Sequence, residues 1–150
     1  MPVQPDNSYD ELIEKGIALL NANNKLAALA CFDKALATGN SPRLQSYLSY
    51  CIATERGRTQ EALALCNDAL AQEPGNPEHY LNLGRIYLHA GKKDEALTAL
   101  RKGLSLGENK EIKSLLRKFG TRAKPVFPFL PRGNFLNRYA GLLLHRIKLR

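Results

Sequence analysis

The sequence contains no run of 18 or more apolar residues, so no part of it is built to cross a membrane as a helix. It has only three cysteines, Cys31, Cys51 and Cys66, and no C-x-x-C pair. That odd, scattered count excludes a disulfide framework and reads as small buried side chains in a reducing compartment. The opening Met1-Pro2-Val3-Gln4-Pro5-Asp6 lacks the basic-then-apolar succession of a secretory leader, which makes the cytoplasm the expected location. Strings that carry chemistry are scarce as well: there is no G-x-G-x-x-G, no phosphate-binding loop and no H-E-x-x-H. His79, His89 and His145 stand at no metal-ligand spacing from the cysteines, and Asp10, Glu11 and Glu14 read as a solvated helix face. Neither catalysis nor a cofactor or metal is expected.

What is present has the size of one domain: 150 residues, 44% of them apolar and 24% charged. The formal charge of +8 is unevenly placed. Residues 1–109 carry 11 basic and 13 acidic side chains, whereas residues 110–150 carry 11 basic ones and Glu111 as their single acid. The basicity is therefore a property of the last 41 residues, not of the body.

That body repeats itself. Ala28, Ala62 and Ala96 head three similar stretches, 34 residues apart each time, with small or apolar side chains at i, i+4, i+7 and i+8. Helical patterns precede them, as in Leu12-Gly16-Leu19 and Tyr80-Leu83-Gly84-Tyr87. Breakers such as Asn21 to Asn24, Gly39 to Pro42, Gly57, Pro74 to Pro77 and Gly91 separate the patterns. Ser8 with Glu11, Ser41-Pro42 and Asn76-Pro77 supply helix starts. Residues 8–107 thus predict six helices in three antiparallel pairs with short turns.

Asn76-Pro-Glu-His-Tyr80-Leu-Asn-Leu83-Gly84-Arg-Ile-Tyr87, followed by Gly91, Ala96, Leu100 and Gly103, resembles a tetratricopeptide repeat. So does Leu12 to Ala35, with Gly16, Ala28, Phe32 and Ala35 in the matching slots. The resemblance implies an all-α fold: a right-handed superhelical α-solenoid of three helix-turn-helix pairs, with Gly16, Ala28, Phe32, Ala62, Cys66, Gly84, Tyr87 and Ala96 as its structural slots. Glycine inside a helix costs about 0.5–1 kcal/mol against alanine. In the family's arrangement that cost is offset where the second helix crosses the first, with Ala28 or Ala96 approaching Gly16 or Gly84, and with Phe32, Cys66 and Leu100 filling the gap toward the next pair. The starts at Ser8, Ser41 and Asn76 are 33 and 35 residues apart. The middle first helix is therefore expected to be slid by one residue, with Leu48, Ser49 and Ile52 in the leucine, glycine and aromatic slots and the extra residue absorbed near Gly57.

The resemblance also implies a function, that of a non-enzymatic scaffold holding a peptide or helix of another protein on the concave face of the first helices. Carried over, that face comprises Ile13, Ile17, Leu20, Arg43, Tyr47, Tyr50, Leu81, Asn82, Arg85 and His89. Chaperone-binding members grip a terminal carboxylate with lysine and asparagine; here Ile13, Ile17 and Glu78 occupy those slots and Asn82 alone does not restore the clamp.

Residues 109–119 predict a helix capping the last repeat, with Ile112, Leu115, Leu116 and Phe119 on one face. Around the 8–119 solenoid, residues 1–7 read as a flexible lead-in, and 120–150 as a basic Pro/aromatic linker followed by an amphipathic C-terminal helix. Lys124, Arg132, Arg138, Arg146, Lys148 and Arg150 make this end basic. Three roles stay open for it: cover for the solenoid or for its own groove by intramolecular docking, an arm that docks on an acidic partner or nucleic acid, and contact with an anionic membrane.

Overall fold

The computed structural model describes residues 7–120. They form seven helices and no strand: α1 (Asn7–Asn21), α2 (Lys25–Leu36), α3 (Pro42–Glu55), α4 (Thr59–Gln72), α5 (Pro77–His89), α6 (Lys93–Leu106) and α7 (Lys110–Phe119). Consecutive helices pair as α1–α2, α3–α4 and α5–α6; each pair packs on the next, and α7 lies on α6. This is an all-α helical-repeat solenoid. The Pro/aromatic linker, the C-terminal amphipathic helix and the basic residues assigned to them lie outside the described residues, as do residues 1–6.

Local chemistry sets the helix ends. The Ser41 hydroxyl accepts from the Leu44 N–H at 3.2 Å, and Asn76 Oδ1 accepts from the Glu78 N–H at 3.0 Å. In both helices proline takes the first helical position, where a missing N–H is harmless. Asn109 caps α7 twice over, accepting from the Glu111 and Ile112 N–H groups at 2.9 and 3.0 Å. The start of α1 differs from expectation. The helix already includes Asn7, which puts Ser8 inside it rather than at its cap.

The turn inside each pair needs one residue in the left-handed region. Asn23 (φ 59°), Gly57 (φ 66°) and Gly91 (φ 74°) supply it, and they stand 34 residues apart in both steps. These turns also locate the extra residue of the middle repeat. The turn N–H of Asn24 reaches the carbonyl of Leu19 and that of Lys92 reaches Tyr87, but Arg58 reaches back to Ile52, one residue further. The surplus is taken up at the C-terminal end of α3, so Ile52 occupies the slot of Leu19 and Tyr87, as the slipped register requires. Tyr50 accordingly lies between Lys25 and Arg85 rather than between α3 and α4.

Packing within the pairs depends on the small-residue slot of the first helix. A Cβ on Gly16 would lie 2.4 Å from the Phe32 ring, and one on Gly84 would lie 2.7 Å from Leu100. The close neighbour is thus the large side chain of the second helix, not Ala28 or Ala96; Ala96 meets the Gly84 site only through its carbonyl, at 3.5 Å. In the middle pair Ser49 takes the slot and Cys66 the facing position, both fully buried. Burial pushes the Cys66 thiol up to about 11, against hydrogen bonds with Ser49 and Ser46 that pull it down. The same three side chains reach beyond their own pair. Phe32 stacks on Tyr47 with ring centroids 6.1 Å apart, the Cys66 thiol donates to the His79 carbonyl at 3.6 Å, and Leu100 clusters with Leu81 and Ile112.

The α4–α5 turn is fixed by a carboxylate. Glu73 accepts from Asn76 Nδ2 at 3.0 Å and lies 2.9 Å from Nε2 of the fully buried His79. These hydrogen bonds, Asn76 first and His79 second, hold the Glu73 pKa below its ordinary 4.5.

Two measurements test this account. Gly16→Ala is expected to destabilise by about 1–3 kcal/mol in urea unfolding, because Phe32 is fully buried and stacked and has nowhere to move. Gly75→Ala, whose Cβ would meet nothing within 4 Å, should stay within about 0.5 kcal/mol. For Glu73, a lowered folded pKa means its stabilisation is present above the ordinary carboxylate value and is lost as pH falls through the folded one. The melting-temperature gap between wild type and Glu73→Gln should therefore be widest above pH 5 (roughly) and shrink toward acid.

Candidate binding face

The first helices α1, α3 and α5, with α7 beyond them, are joined by side chains of opposite charge. Arg43 Nη1 in the first turn of α3 donates to Glu14 Oε1 of α1 at 2.6 Å, and its Nε lies 3.6 Å from Glu78 Oε2 of α5. Partial burial alone would lower the Arg43 pKa; the Glu14 hydrogen bond and the Glu14 and Glu78 charges turn the net shift upward. One arginine thus ties three successive first helices. A second tie runs further along the stack. Arg85 of α5 lies over the Tyr50 ring at 5.3 Å, donates to Asn82 Oδ1 at 3.2 Å and bonds to the Glu111 carboxylate of α7. Burial pulls the Arg85 pKa down, with Tyr50, Tyr47 and Cys51 opposing. It stays a cation, because a guanidinium is not deprotonated in a protein.

Beneath these ties lies a buried polar layer. Asn82 Nδ2 donates to Ser46 Oγ at 3.0 Å and the Ser49 hydroxyl donates to the Ser46 carbonyl at 2.6 Å, all three side chains fully enclosed. Tyr47 is buried beside them, and burial, with the Glu78 charge second, pushes its hydroxyl up to about 12.

The ten residues assigned to the concave face therefore divide. Ile17, Leu20, Arg43, Tyr50 and Arg85 are half-buried, and His89 is exposed at the end of α5. Ile13, Tyr47, Leu81 and Asn82 are enclosed by their neighbours: Ile13 and Tyr47 in the main core, Leu81 against Leu100 and Ile112, Asn82 against Ser46. These four hold the face up from below and present no surface of their own. Periodicity marks the inward stripe of a helix but does not separate groove wall from core.

Sequence reasoning missed the carboxylates. Glu14, Glu78 and Glu111 complete the two ties, and a signal exists for Glu78 alone. Arg43 and Glu78 each follow the first-turn proline of their helix, and Tyr50 and Arg85 share a slot, both pairs being 35 residues apart. One further string, Gly103-Leu104-Ser105-Leu106-Gly107, has the G-x-S-x-G spacing of a hydrolase nucleophile turn. Here Ser105 lies in the last turn of α6, exposed, with its hydroxyl donating to the Lys102 carbonyl at 2.7 Å. A nucleophile turn requires a strand-to-helix corner, which this is not.

Two profiles of the tetratricopeptide repeat match residues 13–77 and 53–119. The chain belongs to the tetratricopeptide-repeat family. Over 93 residues, 61% of its length, it is 34% identical to cellulose synthase operon protein C of Pseudomonas fluorescens, and the match spans only 7% of that much longer protein. Its fold is similar to the Sgt2 tetratricopeptide-repeat domain of Aspergillus fumigatus, with a TM-score of 0.60 at 19% identity over 79% of this chain and 81% of that one. It is also similar to the second such domain of human RPAP3, solved with the HSP70 peptide SGPTIEEVD, with a TM-score of 0.55 at 18% identity over 79% and 100% of the two chains. No helix among the described residues is long and apolar enough to cross a membrane.

The buried polar layer is directly testable. Asn82→Ala leaves the Ser46 hydroxyl enclosed without its amide and is expected to lower unfolding free energy by about 1–3 kcal/mol. Adding Ser46→Ala should cost less than the two single changes combined. Strict additivity in that cycle would show that the two side chains do not interact.

Proposed function

We propose that this chain is a protein-interaction module that seats a peptide or helix of a partner protein across the first helices of its three repeats. The observation that carries this reading is the single surface made when Arg43 ties α1, α3 and α5 together. Ile17, Leu20, Tyr50, Arg85 and His89 are its accessible side chains. Tyrosine and arginine supply large contact areas at few rotatable bonds and recur as interface anchors. Structural neighbours solved with HSP70 and HSP90 peptides support the use of this fold to hold a peptide. The family's role as an interaction scaffold, rather than a catalyst, agrees with it.

A second reading concerns residues 110–150, whose 11 basic side chains against one acid suit a phosphate-bearing surface. In it the repeats hold a partner while the basic end docks on anionic lipid or nucleic acid. Phosphate contacts weaken steeply with salt, so binding to anionic vesicles or an oligonucleotide that persists at high salt would exclude it.

For the first reading, Tyr50→Ala is expected to reduce capture of the partner from the native cell at least about tenfold while helicity is unchanged. Ala64→Glu, on the exposed side of α4, should leave capture intact. The opposite pattern would move the partner to the second-helix side and overturn the proposal.

A further inference from the structure

We infer that the first-helix face selects a basic partner segment, one with lysine or arginine beside apolar side chains, over the acidic tails that such folds hold elsewhere. The inference rests on that face being the binding surface and concerns which chemistry it accepts.

An acidic ligand needs a cation whose donors are available. Here both arginines of the face are already paired with carboxylates of the chain. Arg43 is held by Glu14 and Glu78. Arg85, whose side chain is only 17% exposed, is held by Asn82 and Glu111 with Tyr50 against its face. An incoming carboxylate that reached either guanidinium would have to sit beside Glu14, Glu78 or Glu111. Like charges at such separations repel, most strongly where water is partly excluded.

Glu14 and Glu111 stand in the opposite situation, on the solvent side of their ties, while Glu78 is about as exposed as Arg43. Glu14 is 62% exposed against 40% for Arg43, and Glu111 is 45% exposed against 17% for Arg85. A carboxylate has two oxygens and room for several donors, so one bonded to an arginine still accepts from a lysine or arginine on another chain. Asp10 adds a further acid one turn before Glu14, on the same side of α1. The same first-helix face carries the half-buried Ile17, Leu20 and Tyr50, which suit aliphatic or aromatic side chains. The face thus combines apolar side chains with carboxylates that still have room for a donor.

The test uses the full chain and three matched sets of fluorescent 12-residue peptides that share apolar positions and differ only in carrying Lys/Arg, Asp/Glu or Gln/Ser between them. Fluorescence anisotropy should find saturable binders in the Lys/Arg set, weakened about two- to tenfold by Glu14→Gln with Glu78→Gln. The same double change frees Arg43 and should raise affinity for the Asp/Glu set. Both positions are exposed enough to change without unfolding, and circular dichroism checks this. Asp/Glu peptides that bind the wild type as well as Lys/Arg peptides, and lose affinity with Tyr50→Ala, would overturn the selectivity while leaving the face as the binding surface. Binding by any set that ignores Tyr50→Ala, or no binding by any set, would overturn both.

Discussion

The structure depends on how closely the second helix of each pair can approach the first. That approach is governed by one slot, and the three pairs fill it in different ways. Gly16 and Gly84 leave room for the Phe32 ring and the Leu100 side chain; Ser49 leaves less, and Cys66 is correspondingly small. Where the slot residue is larger the side chain facing it is smaller, as expected of interiors packed to crystal-like density. Because Phe32 and Cys66 also touch the next pair, and Leu100 the Ile112 of α7, the same contact that closes a hairpin sets the stacking of the repeats. The local and the long-range order of the stack share their atoms.

Electrostatics contributes differently. An exposed ion pair adds little to stability, about 0–1 kcal/mol, and the tie that the 40% exposed Arg43 makes to Glu14 is not what keeps the helices folded. The ties made by Arg43 and Arg85 act on availability. They decide which polar atoms of the first-helix face are already satisfied and which still look outward, and they hold side chains from separate helices in one fixed arrangement. Neighbours of the same fold hold peptides such as SGPTIEEVD, which ends in acidic residues. In this chain the arginines that could meet such an end are engaged with its own glutamates.

Much of this was legible in the sequence because tetratricopeptide packing writes small residues at fixed spacing. The 34-residue recurrence of Ala28, Ala62 and Ala96, and the one-residue slip of α3, followed from counting. The slip then appeared as the longer reach of Arg58 back to Ile52. Burial on the first-helix face was not legible. A helix facing a shallow groove and a helix facing a core carry the same apolar stripe, so Ile13 and Leu81 could not be told from Ile17 and Leu20. Asn82 and Tyr47 were harder still, because their polarity argues for a surface while Ser46 and Phe32 draw them inside. The ion pairs were hidden for another reason: Glu14 and Arg43 are 29 residues apart, and only the stacking of one pair on the next brings them together.

The pairing of Asn82 with Ser46 bears on the order in which the repeats assemble. Three similar hairpins joined by short turns could in principle dock in the wrong succession, a characteristic failure of repeat proteins. In the register of the stack the slot that Ser46 fills on α3 is filled on α1 by Ile13. A third hairpin that skipped the second and settled on the first would press the Asn82 amide against an isoleucine, an unmet hydrogen bond worth about 1–3 kcal/mol. The amide therefore acts as a proofreading mark for chain order, accepting one neighbour and penalising the look-alike.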